Sequence, residues 1–224
     1  PRRCGPRQNG RFFAPRANAI TLDGSFNDWP SDWIPIQTVV YNTGDYSGGD
    51  DLSARAQFAW DADGLYIALR VRDDRFRPGP PGSDLWQGDS IEINLDRLLA
   101  QDFDDSQAND DDYQVGLSFA EDSGALLGYR WLPLAQEGGF TPLGAMQPQM
   151  ENSEWRGYNL EARLAWPLVG IDGTTLPEQA ALGFVLAVND NDSDTPSQET
   201  ILATSPARTQ HDNPTQWGTL ILLP

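Results

Sequence analysis

A two-residue alternation of apolar and polar side chains recurs along this chain and restricts what the chain can fold into. In SIEINLD at 90–96, the isoleucines and the leucine occupy one side, and two carboxylates and an asparagine occupy the other. Successive side chains of a strand point to opposite faces, so this segment is predicted to be a strand with one apolar and one polar face. The same alternation appears in ARAQFAW, LYIALRV, DYQVGLSF, GYNLEARLAW, LGFVLAVND and WGTLILL.

Turn residues separate these segments. Asp-Ala-Asp-Gly at 61–64 joins ARAQFAW to LYIALRV, which predicts a β-hairpin. Helical patterns are nearly absent, and the best short candidate is DRLLAQDF at 96–103. Many short strands without helical blocks between them predict an all-β, antiparallel β-sandwich with little helix.

The length and the arginine distribution suggest the domain organisation. A chain of 224 residues can form one large all-β domain or two small ones, and it can bury a core without disulfides. Residues 1–18 contain five of the fifteen arginines, three prolines and no periodicity. We interpret residues 1–18 as a linker or tail and residues 19–224 as the folded domain.

The composition excludes several classes of function. A net charge of -18 disfavours nucleic acids and anionic membranes as partners, because both are polyanions. The chain has no lysine, which rules out Schiff-base and P-loop chemistry. Cys4 is the sole cysteine and His211 the sole histidine, so neither an internal disulfide nor a multi-histidine metal site can form.

The ordered segments of the chain resemble carbohydrate-binding module family 9, within the DOMON-like β-sandwich superfamily. The resemblance runs from about Ile20 to the C-terminus, and it rests on ITLDGSFNDW, AWDADGLYIALRVRDD, LWQGDSIEINLD, DDDYQVGLSF, GYNLEARLAWPLVGI, LGFVLAVNDND and NPTQWGTLIL. It implies a β-sandwich of jelly-roll type that holds structural calcium. It also implies capture of the end of a sugar chain between two aromatic rings.

The resemblance also implies a set of ligand-binding residues. Aromatic rings cover the apolar faces of sugars, while carboxylates and amides bind their hydroxyls. Trp86 matches the family's first stacking tryptophan, and Glu92 matches its hydroxyl-accepting glutamate. Gln114 and Asn189 lie in strands that supply further polar contacts, and His211 stands where the second stacking tryptophan is expected.

Three positions depart from the family pattern. Gly116 replaces an arginine, Ala187 replaces a glutamine, and His211 replaces the second tryptophan. Trp131 or Trp155 can substitute for the missing ring. The alternatives are ordinary structural roles: a tryptophan packed at the sandwich rim, a solvated strand face and a surface histidine.

Acidic loops suggest calcium, which prefers six to eight oxygen ligands. The resemblance favours Asp73, Asp89 and Asp190, which stand at strand ends in the most family-like segments. Further aspartates lie at 104–112 and 189–194, and none has the EF-hand spacing. The alternative is a solubilising acidic surface.

We therefore expect a non-catalytic carbohydrate-binding module that forms a monomeric domain of a larger, extracytoplasmic protein. Because the first residue is Pro1, we expect the chain to be a piece of that protein. We expect no nucleic acid partner and no membrane contact. The alternative is a sensory or protein-interaction ectodomain with the same sandwich and a degraded sugar site.

Two further activities are disfavoured. A hydrolase lacks support, because no Gly-x-Ser-x-Gly motif occurs and Asp89 and Glu92 are too close in sequence for a catalytic pair. Haem ligation through Met146, Met150 or His211 is a minor alternative.

Overall fold

The structure is a computed structural model that describes residues 9–101, 103–206 and 213–224. The described strands are, in chain order, β1 (Arg11–Ala14), β2 (Ile34–Ile36), β3 (Thr38–Tyr41), β4 (Leu52–Trp60), β5 (Gly64–Asp73), β6 (Ser90–Asp96), β7 (Asp112–Phe119), β8 (Leu126–Leu132), β9 (Gly138–Phe140), β10 (Leu143–Glu151), β11 (Glu154–Ala165), β12 (Ala181–Asp190), β13 (Thr200–Ala203) and β14 (Gly218–Leu222). Single 3-10 turns occur at Gly82–Asp84, Leu134–Gln136, Trp166–Val169 and Pro214–Gln216.

The strands form two sheets that pack face to face. The nine-stranded sheet runs β1-β14-β12-β6-β7-β8-β9, with β13 beside β12 and β3 beside β13. The five-stranded sheet runs β10-β11-β5-β4-β2. The described pairs are antiparallel except for β1 with β14, which is parallel. The prediction of an all-β sandwich with little helix is therefore confirmed.

The apolar faces of both sheets meet in one core. Ile91, Ile93 and Leu95 of β6 are fully buried there, as their alternation predicts. The rings of Phe58 and Phe184 meet edge to face across the core, with their centroids 5.2 Å apart. Burial of each such side chain contributes roughly 1.5–3 kcal/mol relative to exposure. The apolar residues of the two-residue alternation therefore form the core that stabilises the sandwich.

The N-terminal boundary differs from the prediction. Residues 11–14, part of the segment interpreted as a linker or tail, form β1 and align with Thr219–Leu222 of β14. Phe12 and Ala14 of this strand are buried in the core. Four residues are too few to show a reliable alternation, and the surrounding arginines suggested a solvated segment. The folded domain therefore includes residue 11.

The predicted hairpin and the predicted short helix have different outcomes. The hairpin is confirmed, because β4 and β5 pair from Leu52↔Asp73 to Trp60↔Leu65 around the predicted turn. The short helix predicted at 96–103 is instead a turn at 97–101. No helix in the described part of the chain has the length and hydropathy of a membrane-spanning segment.

Candidate functional site

The polar side of SIEINLD lies on the outer face of the nine-stranded sheet, and it is buried. Glu92 is 7 % exposed, and Asn94 and Asp96 are 0 % exposed. The alternative of a solvated strand face therefore does not hold for these three residues. A buried carboxylate needs hydrogen-bond partners, because its desolvation is otherwise costly.

Glu92 obtains its partners from the two neighbouring strands. The side-chain amide of Gln114 on β7 donates from Nε2 to Glu92 Oε2 at 3.0 Å. Asn189 on β12 donates from Nδ2 to Glu92 Oε1 at 2.8 Å. We call these three residues the Glu92 site. The structure thus brings together three of the five predicted ligand-binding residues.

The Glu92 site is held in one orientation. Asn189 Nδ2 also donates to the hydroxyl of Ser90 at 3.0 Å, which occupies the remaining proton of this amide. An ionised carboxylate has about four acceptor positions, and the two amides use two of them. Glu92 therefore retains the capacity to accept hydrogen bonds from a ligand.

Gly116 makes room for an aromatic ring beside Glu92. It lies directly opposite Glu92 in the pairing of β6 with β7. A Cβ atom at this position would lie 2.4 Å from Trp131 Cη2 and 2.8 Å from Leu85 Cδ1. Trp131 is half-buried, and its Nε1 donates to the backbone oxygen of Ser83 at 2.9 Å. The structure thus places Trp131 at the Glu92 site, which the sequence alone could not do.

Trp86 belongs to the loop that contacts Trp131. It follows the fully buried Leu85, and its own side chain is half-buried. Within residues 9–101, 103–206 and 213–224, no aromatic ring contacts Trp86. His211, the predicted second ring, lies outside the described residues.

Ala187 and Trp155, the two other positions considered for sugar binding, do not take part in the Glu92 site. Ala187 pairs with Glu92 across the sheet, but it packs in a second apolar cluster with Val185 and Trp217. Trp155 donates from Nε1 to Asp73 Oδ2 at 3.3 Å, and its ring lies 4.6 Å from that of Phe76. Trp155 is therefore beside the acidic residues, and it cannot replace the missing ring at the Glu92 site.

Asn94 is a residue that sequence reasoning missed. Both of its side-chain amide atoms are buried, and neither has a hydrogen-bond partner among the described residues. It lies between Glu92 and Asp96 on the same strand face, opposite Gln114. A buried amide without partners costs roughly 1–3 kcal/mol. Its only sequence signal is its place on the polar side of the alternation.

The three aspartates predicted as metal ligands converge at one edge of the sandwich. Asp73 ends β5, Asp89 precedes β6 and Asp190 ends β12. Their carboxylate oxygens lie within 4.8 Å of one another, and all three side chains are buried. Overlapping groups extend the set, and we call the whole set the acidic cluster: Asp51, Asp73, Asp74, Asp89, Asp190 and Asp192.

Burial, and then the charges of neighbouring carboxylates, raise the pKa values of Asp73, Asp89 and Asp190. Burial, followed by the charges of Asp192 and Asp74, raises the pKa of Asp73 to about 7, although hydrogen bonds from Arg75 and Trp155 oppose the shift. Burial and then the charges of Asp89 and Asp73 raise the pKa of Asp190 to about 9. Burial and the charge of Asp73 raise the pKa of Asp89 well above its ordinary value.

The acidic cluster has the chemistry of a calcium site. Its ligands are oxygens, which hard cations prefer. The hydroxyl of Tyr158 is buried with no partner among the described residues, and the charges of Asp89, Asp73 and Asp190 act on it. A cation would neutralise the crowded carboxylates, and its hydration shell could supply a partner for this hydroxyl. The residues present therefore fit a calcium ion.

The acidic cluster is joined directly to the Glu92 site. Asp89 and Asp190 are the chain neighbours of Ser90 and Asn189, which lie opposite each other in the pairing of β6 with β12. Asp89 is itself fixed by the backbone N–H of Arg77 at 2.5 Å and that of Asn191 at 3.2 Å. An ion in the cluster would thus hold the strand ends that position Glu92 and Asn189.

Comparisons with known proteins give the family and the fold. The model of the family described as "Carbohydrate family 9 binding domain-like" matches residues 21–223. No curated protein matches the chain.

Solved structures with the same fold include a family 9 carbohydrate-binding module from Caldicellulosiruptor kristjanssonii in complex with cellotriose. It has a TM-score of 0.63 and 20 % identity, with 96 % of this chain and 94 % of that chain covered. The glucose complex of such a module from that organism has the same score and identity, with 95 % of each chain covered. A putative carbohydrate-binding protein from Bacteroides uniformis has a TM-score of 0.55 and 13 % identity, with 97 % of this chain and all of that chain covered. Since the family model spans nearly the whole folded domain, the chain belongs to the carbohydrate family 9 binding domain-like family.

Proposed function

We propose that this domain is a non-catalytic module that binds carbohydrate on the outer face of its nine-stranded sheet. The observation that carries the proposal is the buried Glu92 carboxylate, held by Gln114 and Asn189 on the flanking strands. Such a preordered acceptor binds a sugar hydroxyl without first losing side-chain freedom. Glu92 is positioned to accept from the sugar, while Trp86 supplies an apolar face.

Trp131 is the second ring of the proposed site. It lies over Gly116, directly across the strand pair from Glu92. Its hydrogen bond to Ser83 ties it to the loop that carries Trp86. The rings of Trp131 and Tyr129 are 5.6 Å apart, which makes an aromatic edge beside the polar network.

Glucose and short β-glucans are the first ligands to test. The Caldicellulosiruptor kristjanssonii modules with this fold were solved with cellotriose and glucose. Capture of a chain end is the mode that we propose for this chain.

Calcium is the proposed structural cofactor, with Asp73, Asp89 and Asp190 as its ligands. Support comes from their mutual proximity and burial, which leave three carboxylates in need of a cation. We also propose that the domain works outside the cytoplasm, as the family resemblance and the proposed calcium site suggest; calcium sites of extracellular modules have dissociation constants of roughly 10⁻⁴–10⁻³ M. There it would act as a monomeric domain of a larger protein.

The test is calorimetric titration of the protein with glucose, cellotriose, xylotriose and mannotriose in calcium-containing buffer. We expect binding of at least one of these sugars, and we expect Glu92→Gln and Trp86→Ala each to weaken it at least tenfold. Glu178→Gln, at an exposed position outside the Glu92 site, is the charge-matched control and should bind normally. Absence of heat with every sugar would refute the proposal.

The second candidate is a sensory or protein-interaction ectodomain. The apolar surroundings of Ala187, where the family has a polar side chain, favour it. Failure to bind any sugar, together with capture of a defined protein partner that Trp86→Ala abolishes, would select this alternative.

A further inference from the structure

The outer face of the five-stranded sheet is divided into a covered half and an open half. The segment 21–33 lies across one half, where Asp23 N and Trp29 Nε1 donate to the carboxylate of Glu161 at 2.8 and 2.6 Å. Glu161 lies on β11. Two strands away in the same sheet, on β4, the side chain of Gln57 donates a hydrogen bond to the backbone oxygen of Ser31. The other half is an open groove of about 440 Å³, and we call it the arginine groove. Its lining includes Arg55, Arg70, Arg72, Arg156, Ser53 and Gln149.

Two of the four arginines of this groove already have acidic partners. Arg72 forms an ion pair with Asp50 at 3.0 Å, and Arg156 forms pairs with Glu151 and Glu154 at 3.4 and 2.6 Å. These pairs are exposed, so each contributes little to stability.

Arg55 and Arg70 have no acidic partner in the part of the chain that the structure describes. They lie directly opposite each other in the pairing of β4 with β5. Like charges at directly opposed positions of a sheet repel each other. The charge of Arg55, together with burial as the larger cause, lowers the pKa of Arg70. The protein as a whole has a net charge of -18, so two adjacent arginines without an acidic partner among the described residues stand out from the rest of its surface.

The two guanidinium groups are also held in place. Both lie over the ring of Trp33, at 4.8 Å for Arg55 and 5.4 Å for Arg70. Phe26 packs edge to face against Trp33 with their ring centroids 4.9 Å apart, and the centroid of its ring lies 5.3 Å from the guanidinium carbon of Arg70. Guanidinium groups stacked on aromatic rings lose less freedom when they bind an anion, and their planar donor arrays match a carboxylate.

We propose that the arginine groove binds the carboxylate of an acidic saccharide, an oligosaccharide that contains a uronic acid residue. Arg55 and Arg70 bind the carboxylate, while Gln149 and Ser53 are placed to hydrogen-bond the hydroxyls around it. The groove has the volume of a small-ligand site, and seven of the ten residues that line it are polar or charged. The overall negative charge opposes a long polyanion, so the ligand is a short segment. This site lies on the opposite sheet from the Glu92 site and does not depend on it.

The test is titration of the intact chain with trigalacturonate at low and moderate ionic strength. Cellotriose is the neutral comparison, and any binding of it at the Glu92 site should be unchanged by substitution of Arg55 or Arg70. We expect trigalacturonate to bind and to weaken as salt increases. Arg55→Gln and Arg70→Gln should each reduce its affinity about tenfold or more, because each removes a charged donor to the carboxylate. Arg163→Gln is the matched control, since Arg163 lies on the same sheet face and pairs with Asp63 outside the groove. It should leave the affinity unchanged.

Two further comparisons separate the possible outcomes. Glu92→Gln should leave trigalacturonate binding intact, so that failure of the Glu92 site and failure of the groove are distinguishable. A triglutamate peptide with an acetylated N-terminus and an amidated C-terminus carries the same number of carboxylates, three, without sugar hydroxyls. If it binds as tightly as trigalacturonate, the assignment to a saccharide is wrong. Absence of trigalacturonate binding, or an equal loss in Arg163→Gln, overturns the proposal altogether.

Discussion

The indole of Trp131 occupies the space that a side chain at Gly116 would fill, and this contact lies directly across the strand pair from Glu92. Glycine inside a strand usually weakens it, unless another group approaches the backbone closely. Here the close approach brings an aromatic ring to the polar network. Because Gly116 has no Cβ atom, the Trp131 ring can pack there. This contact therefore affects both the stability of the protein and the proposed ligand site.

Gly116→Ala should therefore destabilise the protein and weaken sugar binding. The new methyl group would lie 2.4 Å from the Trp131 ring, so the ring must move. Overpacking of this kind costs roughly 1–3 kcal/mol. Urea denaturation measures the loss, and Trp fluorescence reports the displacement. Gly44→Ala is the control, because the nearest atom to its Cβ is 3.9 Å away. Equal stability of the two variants would contradict the placement of Trp131.

Asn189→Asp should disrupt the Glu92 site without changing side-chain size. The substitution replaces the N–H donor, 2.8 Å from Glu92 Oε1, with an oxygen that repels it. Loss of a buried hydrogen bond to a charged group costs roughly 1.5–3 kcal/mol, and the added charge increases that cost. Asn152→Asp makes the same chemical change at an exposed position and should be tolerated. Comparison of their denaturation midpoints tests the network, and a midpoint shift common to both variants would count against it.

Removal of calcium should lower the thermal midpoint of unfolding and also weaken sugar binding. The proposed ion holds the strand ends next to Ser90 and Asn189, so its loss loosens the Glu92 site. Calorimetric scans in calcium and in chelator would measure the first effect, and sugar titration in the same buffers the second. Asp89→Asn should make the thermal midpoint insensitive to calcium. A wild-type protein with identical midpoints in both buffers would rule out the proposed ion.

The stability of the chelated protein should fall as the pH rises from about 4 to 7. Burial raises the pKa of Asp73 to about 7, so the folded state keeps its proton while the unfolded state loses it near its ordinary pKa of 3.8. The unfolded state is then favoured increasingly until the pH passes the folded pKa, where the effect levels off. The pKa of Asp190, raised to about 9, extends the same trend upward.

Calcium should reverse this pH dependence, since a metal binds only the deprotonated carboxylates. Denaturation curves at several pH values, with chelator and with calcium, would show opposite slopes. Parallel slopes in the two buffers would show that the acidic cluster does not take up the ion.

Tyr158→Phe separates the metal-free and metal-bound forms of the cluster. The Tyr158 hydroxyl is buried without a partner among the described residues, so its removal should stabilise the chelated protein by about 1 kcal/mol. In calcium, the gain should shrink or reverse, because the hydration shell of the ion then supplies a partner. Unfolding free energies of both proteins in both buffers test this. A gain of equal size with and without calcium would place the hydroxyl outside the metal site.

Alternation along the chain predicted seven of the fourteen described strands, namely β4, β5, β6, β7, β11, β12 and β14, and the inner faces of these strands. Ile91, Ile93 and Leu95 enter the core as their alternation requires, and the turn at 61–64 makes the hairpin. The family resemblance placed Asp73, Asp89 and Asp190 at strand ends, and the structure brings them together. These features follow from the two-residue alternation within each segment and from the order of the segments along the chain. Both can be read from a sequence.

The cover over the outer faces of the two sheets could not be predicted from the sequence. Alternation predicts which side of a strand a residue occupies, but it contains nothing about the loops that pack there. Glu92 and Asn94 are therefore buried where a polar strand face is ordinarily exposed, and Trp131 reaches Gly116 from the adjacent strand β8. On the other sheet, the segment 21–33 covers one half and leaves Arg55 and Arg70 facing an open groove. These features depend on contacts between different segments of the chain, and the alternation within one strand contains no information about such contacts.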